Sequence, residues 1–593
     1  MSSLNSRICL KTLFVLVLGV ASVPLFGTTW YVRPDGGTRY SVNATKGQCD
    51  GKADTPYPGS GVNKHCAFND VRMLYTDGTY TDGKSFPGWG WVIAGGDTVL
   101  IRGSIGTGVS YRVGMNNTAK YDGWSIAGDA RNSGMPPPPS GTPTQHTRIL
   151  GENYASCHSA SAKTQLHGGS GAFAVLNLSG SSYVDVACLD ITDFSACGRA
   201  SQKLGCDSQD YALIGIQLGN TSTHDTLTDL HIHGLAGSGL FGPTGDGVVM
   251  DYIDILGNAS SGWNTDMGNG STGVGSLNVS HYNISWNGCA EEYPIVHPIP
   301  YGDCTDQDHG GYGDGFGTAT VDSPPPGWQV HFDEGVVSFN TQDGLDALHI
   351  GGKGSSMTVT HTRAFSSMGQ QIKVGGAAAT ITDNLIVGNC RAMSKAIPGT
   401  PPGFNAQLGL FCRAGDTAIA INVPDHLPAI FQRNIIYSAN RIALEIEYPG
   451  DPSPHAAIKY DDNIFIGFPN EEGSYPAPIY SNSDLKMFTN PGASFSNNVT
   501  YRAKSGWKCP ATSLHETGGS CGDPHLKDET WHEYGYGDFS RTKAIDKSSS
   551  QPEPSPSHGA SHVSAAMKSL GAAILVTGMW GGFRYFHDRG SKA

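Results

Sequence analysis

The segment from Val330 to Gly376, VHFDEGVVSFNTQDGLDALHIGGKGSSMTVTHTRAFSSMGQQIKVGG, repeats itself at an offset of 27 residues. Phe332, Val337 and Asn340 stand at positions 0, +5 and +8 of one copy. Val359, Ala364 and Ser367 stand at the same positions of the next (359 − 332 = 27). A unit this short cannot bury its apolar residues alone and must stack on its neighbours. If each copy is one turn of a coil, matching residues lie one strand spacing apart, ~4.8 Å. The offset then sets Asp346 opposite Lys373, and Asp343 opposite Gln370.

The same pattern, an apolar residue at 0 and another at +5, recurs from anchors Val186, Leu227, Met250, Val279, Phe332, Val359, Ile381, Phe431, Tyr460 and Phe495. The +5 partners are Ile191, Ile232, Ile255, Ile284, Val337, Ala364, Ile386, Ile436, Phe465 and Thr500. Asn258, Asn287, Asn340 and Asn389 recur at +8, where a side-chain amide can bond to its copy in the next rung. The shortest spacings are 22 and 23 residues (381 − 359, 250 − 227), and larger gaps hold loops. Short β-branched strands at this period predict an all-β solenoid of parallel strands, with Ile255, Ile284, Val337 and Ile386 in one interior stack. Leucine-rich repeats lack their consensus here, and a β-propeller lacks its hairpins. The repeat resembles the right-handed parallel β-helix of pectate lyases and their relatives, which implies that fold for residues 91–545.

Before the helix, residues 28–90 read as an N-terminal cap, with a helix expected over Ala67 to Tyr75. Residues 1–27, with Arg7 and Lys11 ahead of the apolar Leu13 to Val20, read as a secretory signal. Setting Cys9 aside leaves twelve cysteines in neighbouring couples: Cys49/Cys66, Cys157/Cys188, Cys197/Cys206, Cys289/Cys304, Cys390/Cys412 and Cys509/Cys521. Six local disulfides in an oxidising compartment are the economical reading, although spacing alone leaves connectivity open. Residues 546–563 form a Pro/Ser linker, and residues 564–593 a short apolar tail that suits a membrane tether or a surface sorting signal. A secreted or cell-surface location follows. The net charge of −14, without a basic patch, excludes nucleic acid as a partner. A monomer is expected.

The chemistry gathers around the 27-residue repeat. Asp314-Gly-Phe-Gly aligns with Asp343-Gly-Leu-Asp and with Gln370-Gln-Ile-Lys. Leu345 and Ile372 face inward, so Asp346 and Lys373 face outward. Between anchors Val279 and Phe332 lies the largest insertion, with Glu291, Glu292, Asp303, Asp306, Asp308 and three tyrosines, Tyr293, Tyr301 and Tyr312. Asn340-Thr-Gln-Asp-Gly-Leu-Asp, followed by Gln371-Ile-Lys-Val-Gly-Gly, resembles the signature of the family 9 polysaccharide lyases, which include pectate lyases. That family holds Ca²⁺ with an Asp-Asp-Gly-Phe-Asp-like run and uses a lysine one coil later as base. The resemblance implies Asp314, Asp343 and Asp346 as metal ligands, Lys373 as the catalytic base, Ca²⁺ as cofactor and an acidic polysaccharide as partner. Gln342 stands where the family has its first Asp; an amide oxygen also ligates Ca²⁺, with one charge fewer. Tyr312 and Arg363 are the candidate substrate contacts.

Carboxylates alone beside Lys373 raise its pKa, so a lysine base here requires the metal. A hydrolase is the alternative: Trp263-Asn-Thr-Asp266 resembles the Asn-Thr-Asp of polygalacturonases, with Asp266 as its catalytic candidate. A non-catalytic, adhesin-like glycan-binding rod is the third reading, in which Asp346 and Lys373 merely neutralise a solvated face.

Overall fold

The computed structural model describes residues 27–40, 47–75, 91–113, 134–168, 172–193, 212–265, 273–288, 313–318, 327–350, 354–389, 418–422, 427–438, 442–447, 458–467, 477–481, 493–502 and 518–524. All of them belong to the unit spanning residues 1–542, and residues 543–593 lie outside the described set. The signal segment, the linker and the apolar tail fall outside it as well, apart from Gly27. Among the described residues no helix is long and apolar enough to cross a membrane.

The fold is a right-handed parallel β-helix. Its strands form three lanes, one per side of the coil. The first two share the strands Thr226–His233, Val248–Leu256 and Gly275–Ser285, and so merge into one 23-stranded sheet. The third lane is a separate sheet of ten strands.

All ten anchors stand in one column of the first lane, each in register with the next from Val186 to Phe495. The column continues toward the N-terminus through Ile149 and Val99 to Trp30. In the second lane the +5 residues stack in the same order, from Ile191 to Thr500. Ile255, Ile284, Val337 and Ile386 are buried in that column, as the repeat requires. Each such aliphatic side chain contributes about 1.5–3 kcal/mol by leaving water.

Each coil turns from the first lane into the second at anchor +2. There Cys188, Asp229, Tyr252, His281, Glu334, His361, Asp383, Arg433, Asp462 and Asn497 all adopt positive φ, between 47° and 61°. None of the ten is glycine, although the left-handed region costs a non-glycine residue about 1–3 kcal/mol. Ladders of buried amides help to fix these corners. From Ile381 onward, the residue following the left-handed one is asparagine. Asn384, Asn434, Asn463 and Asn498 form a chain in which each Nδ2 donates to the next Oδ1 at 2.9–3.0 Å. Earlier in the helix the ladder runs instead at +8: Asn258 Nδ2 donates to Asn287 Oδ1 at 2.9 Å, and Asn287 Nδ2 to Asn340 Oδ1 at 3.0 Å.

The N-terminal region joins the stack directly. Thr29–Gly37, within the segment read as a cap, pairs in parallel with Thr98–Ile101. The helix expected over Ala67 to Tyr75 is only a 3-10 turn, Val71–Leu74, capped by the Asp70 side chain, which accepts from the Arg72 N–H. Its first half is taken by Phe68, which bridges to Val32 as a strand residue. Two disulfides lie among the described residues, Cys49–Cys66 and Cys157–Cys188. Cys197/Cys206, Cys289/Cys304, Cys390/Cys412 and Cys509 fall outside them.

Candidate active site

The third sheet carries the candidate site on an outward row. Trp263, Phe316, Leu345, Ile372 and Ile419 form its buried inward row, and their C-terminal neighbours Asn264, Gly317, Asp346, Lys373 and Ala420 face the other way, in register. Asp346 therefore lies directly beside Lys373. Asp314, Asp343 and Gln370 stack in the turn leading into this sheet. The Asp343 N–H donates to Asp314 Oδ1 at 2.9 Å, and the Gln370 N–H donates to Asp343 Oδ1 at 2.6 Å. Asp346 Oδ1 likewise accepts from the Leu348 N–H at 2.8 Å. Each aspartate thus gives one oxygen to the backbone, which fixes the direction of the other.

Two of those second oxygens converge on Lys373. Its Nζ lies 3.2 Å from Asp343 Oδ2 and 3.1 Å from Asp346 Oδ2. Glycines leave room for the carboxylates: a Cβ at Gly317 would meet Asp314 Oδ2 at 2.6 Å, and one at Gly369 would meet Asp343 Oδ1 at 2.1 Å. Lys373 is not the open side chain that the row pattern suggests. Its side chain is only 18% exposed, closed in by the two carboxylates.

The electrostatics follow from this crowding. Burial works against the Lys373 charge, but the Asp343 and Asp346 carboxylates outweigh it and hold the ammonium well above its ordinary pKa. Burial, with Asp343 and Asp346 beside it, pushes the Asp314 carboxyl well above the usual carboxylate range. His349, which the sequence reading passed over, is half-buried nearby. Burial, and then the Lys373 charge, lower its pKa and so disfavour the imidazolium. Its signal in the sequence is position alone, three residues after Asp346.

Asp314, Asp343 and Asp346 each offer a carboxylate oxygen, and the three atoms lie within 4.8 Å of one another. Ca²⁺ binds oxygens at about 2.3–2.6 Å, so the width of its coordination sphere is about 4.6–5.2 Å. An all-oxygen set with this spread fits a hard divalent cation. Gln342 is buried in the same turn; its backbone donates to Gly313 O at 3.2 Å and accepts from the Gly369 N–H at 2.8 Å. Arg363 is not brought to this row. It lies in the second lane, in the exposed end of the strand Arg363–Phe365. Tyr312, Glu291, Glu292 and Asp266 lie outside the described residues.

No family model matches the sequence, and no curated protein does. Among solved structures, the chain is similar to the Dettilon tailspike protein at 9% identity and a TM-score of 0.37, over 72% of this chain and 63% of that one. It therefore spans less than two thirds of the tailspike's length. It is similar to pectate lyase Pel9A at 11% identity and a TM-score of 0.28, over 49% and 70% of the two chains. A mannuronic acid specific family 6 polysaccharide lyase from human gut microbiota matches at 10% identity and a TM-score of 0.34, over 73% and 86%. The stacked register itself defines the class, a right-handed parallel β-helix.

Proposed function

We propose that this protein is an exported polysaccharide lyase that cleaves uronic-acid-containing glycans by β-elimination, with Lys373 as base and Ca²⁺ as cofactor. One observation carries the reading: Lys373 Nζ sits between Asp343 and Asp346 in a site where a third carboxylate, Asp314, completes an oxygen set of calcium dimensions. A simple ion pair needs one carboxylate per lysine; here two contact Lys373 and a third stands within 4.8 Å of them. The two disulfides support an oxidising, extracellular setting.

In the reaction, a neutral Lys373 removes the C5 proton of a uronosyl residue. The released electron pair forms the C4–C5 double bond as the C4–O bond breaks, and the departing oxygen takes a proton from water. Ca²⁺ held by Asp314, Asp343, Asp346 and Gln342 would offset the carboxylate charge that raises the Lys373 pKa, and would stabilise the enolate-like charge on the substrate. Base and metal therefore stand or fall together.

The test is ultraviolet absorbance of unsaturated uronates, on polygalacturonate and alginate, with Ca²⁺ or with chelator. Unsaturated product that depends on Ca²⁺ is expected. Asp346→Ala should lose activity and regain part of it in excess Ca²⁺, whereas Lys373→Ala should not recover. Saturated products alone would replace the lyase with a hydrolase.

A further inference from the structure

We propose that the second lane carries an independent site for a transition-metal ion of the Zn²⁺ class, built from Asp190, His231 and His233. His231-Ile232-His233 lies on one strand, where side chains alternate between the two sides. Ile232 is buried in the core column, so both imidazoles project outward, and their rings stack with centroids 4.2 Å apart. Asp190 stands directly opposite His231 on the neighbouring strand. Its Oδ1 lies 2.7 Å from His231 Nδ1 and 3.1 Å from His233 Nε2.

Three donor atoms from two hydrogen-bonded strands therefore converge within 4.8 Å of one another. Ligands of a tetrahedral zinc ion, bound at about 2.0–2.2 Å, stand about 3.3–3.6 Å apart. To admit the ion, the Asp190–His231 contact of 2.7 Å must lengthen by about 0.6–0.9 Å and the Asp190–His233 contact of 3.1 Å by about 0.2–0.5 Å. Asp190 Oδ2 meanwhile accepts from Gln165 Nε2 at 2.9 Å, the kind of outer contact that orients a ligating carboxylate. On the other side of His231, Asp254 occupies the next rung in register and adds a second acidic group to the neighbourhood. Two imidazoles and one carboxylate favour zinc and its neighbours over calcium, and leave a fourth position for water or a ligand.

The test uses the full chain, stripped with chelator and titrated with Zn²⁺ or Co²⁺. One equivalent of Co²⁺ with the strong visible absorption of four-coordinate cobalt is expected, displaced by Zn²⁺. His231→Ala and His233→Ala should each abolish that spectrum, and Asp190→Asn should weaken binding about tenfold or more. Asp343→Asn, in the calcium-type site, should leave it unchanged, which separates failure of this proposal from failure of the lyase reading. X-ray absorption on the zinc-loaded wild type should show two imidazoles in the first shell, and it needs no variant to fold. Absence of stoichiometric binding, binding that survives either histidine substitution, or a first shell without imidazole would overturn the site.

Discussion

Asp314, Asp343, Asp346 and Lys373 meet across rungs separated by 29 and 27 residues (343 − 314, 373 − 346), whereas Asp190 and His231 meet across 41 (231 − 190). Both clusters use the same device. Asp346 and Lys373, like Asp190 and His231, stand at equal distance from their anchors and are brought side by side by the register, beside the core residues Leu345, Ile372, Ile191 and Ile232. What differs is the donor set. The third-lane cluster is all oxygen and supplies its own countercharge through Lys373; the second-lane cluster pairs one carboxylate with two imidazoles. The coil thus fixes where polar groups meet, and the residue types at those places decide which cation the place suits. One asparagine ladder ties the two regions together. At one end Asn258 Oδ1 accepts from the Leu235 N–H, just past His233; at the other, Asn340 leads into the turn of Asp343.

The sharpest way to separate the clusters is Lys373→Ala, which carries the largest expected effect. Activity should fall by about 10²–10⁴, the usual contribution of a positioned base. In chelator the variant should also lose stability, by about 3–5 kcal/mol, because the covered Asp343 and Asp346 carboxylates lose the ammonium that balances their charge. Ca²⁺ should restore the melting temperature but not the activity. His231→Ala, at the second-lane cluster, should leave the lyase activity in place. A Lys373→Ala protein that melts like the wild type in chelator would show that the ammonium does not balance these carboxylates.

A smaller effect is expected at the ladder. Asn287 Oδ1 accepts from the Asn258 backbone and side chain, and its Nδ2 donates to Asn340 Oδ1 and Ile255 O. Asn287→Ala removes the acceptor of the buried Asn258 N–H and should cost about 1–3 kcal/mol in chemical denaturation. It should also weaken cation binding at both clusters, since they lie at the two ends of this ladder. Asn434→Ala, in the later ladder, should cost a similar amount and leave both clusters intact. Equal effects of the two substitutions on cation binding would break the link.

Much of this register is legible from the apolar residues at 0 and +5, because a period of that kind leaves few other ways to bury Phe332, Val337 and their copies. The Asp346–Lys373 pairing follows from it, since no long insertion separates those rungs. The Asp190–His231 pairing is available from the same anchors, both residues being at +4 from Val186 and Leu227, but the 41-residue gap and its loop hide it. The later ladder has a plain signal in Asp-Asn-Leu, Arg-Asn-Ile, Asp-Asn-Ile and Asn-Asn-Val at residues 383–385, 433–435, 462–464 and 497–499. A pattern fixed on +8 passes over it. The left-handed corners at +2 are illegible for a physical reason: no glycine marks them, and stacking with hydrogen bonding imposes a backbone conformation that Tyr252, His281 or Arg433 would not choose alone.

The smallest expected effect has the opposite sign, and it shows where the oxygen cluster trades stability for cation binding. Asp314 is buried beside two carboxylates, which raises its pKa above that of the unfolded chain. The folded state then holds this proton at pH values where the unfolded chain has released it. Stability from this group is complete below the ordinary aspartate pKa and declines as pH rises through the raised one. Asp314→Asn keeps the acceptor for the Asp343 N–H and removes the titrating group. In chelator at neutral pH it should stabilise the chain by about 0.5–2 kcal/mol, the range of single favourable substitutions. The gain should vanish as the pH is lowered toward the ordinary carboxylate pKa. In Ca²⁺ the order should reverse, with the wild type gaining in melting temperature and Asp314→Asn gaining less. If Asp314→Asn is less stable than the wild type in chelator at neutral pH, the carboxylates do not repel one another as their crowding requires, and the oxygen cluster is not poised for a second cation beside Lys373.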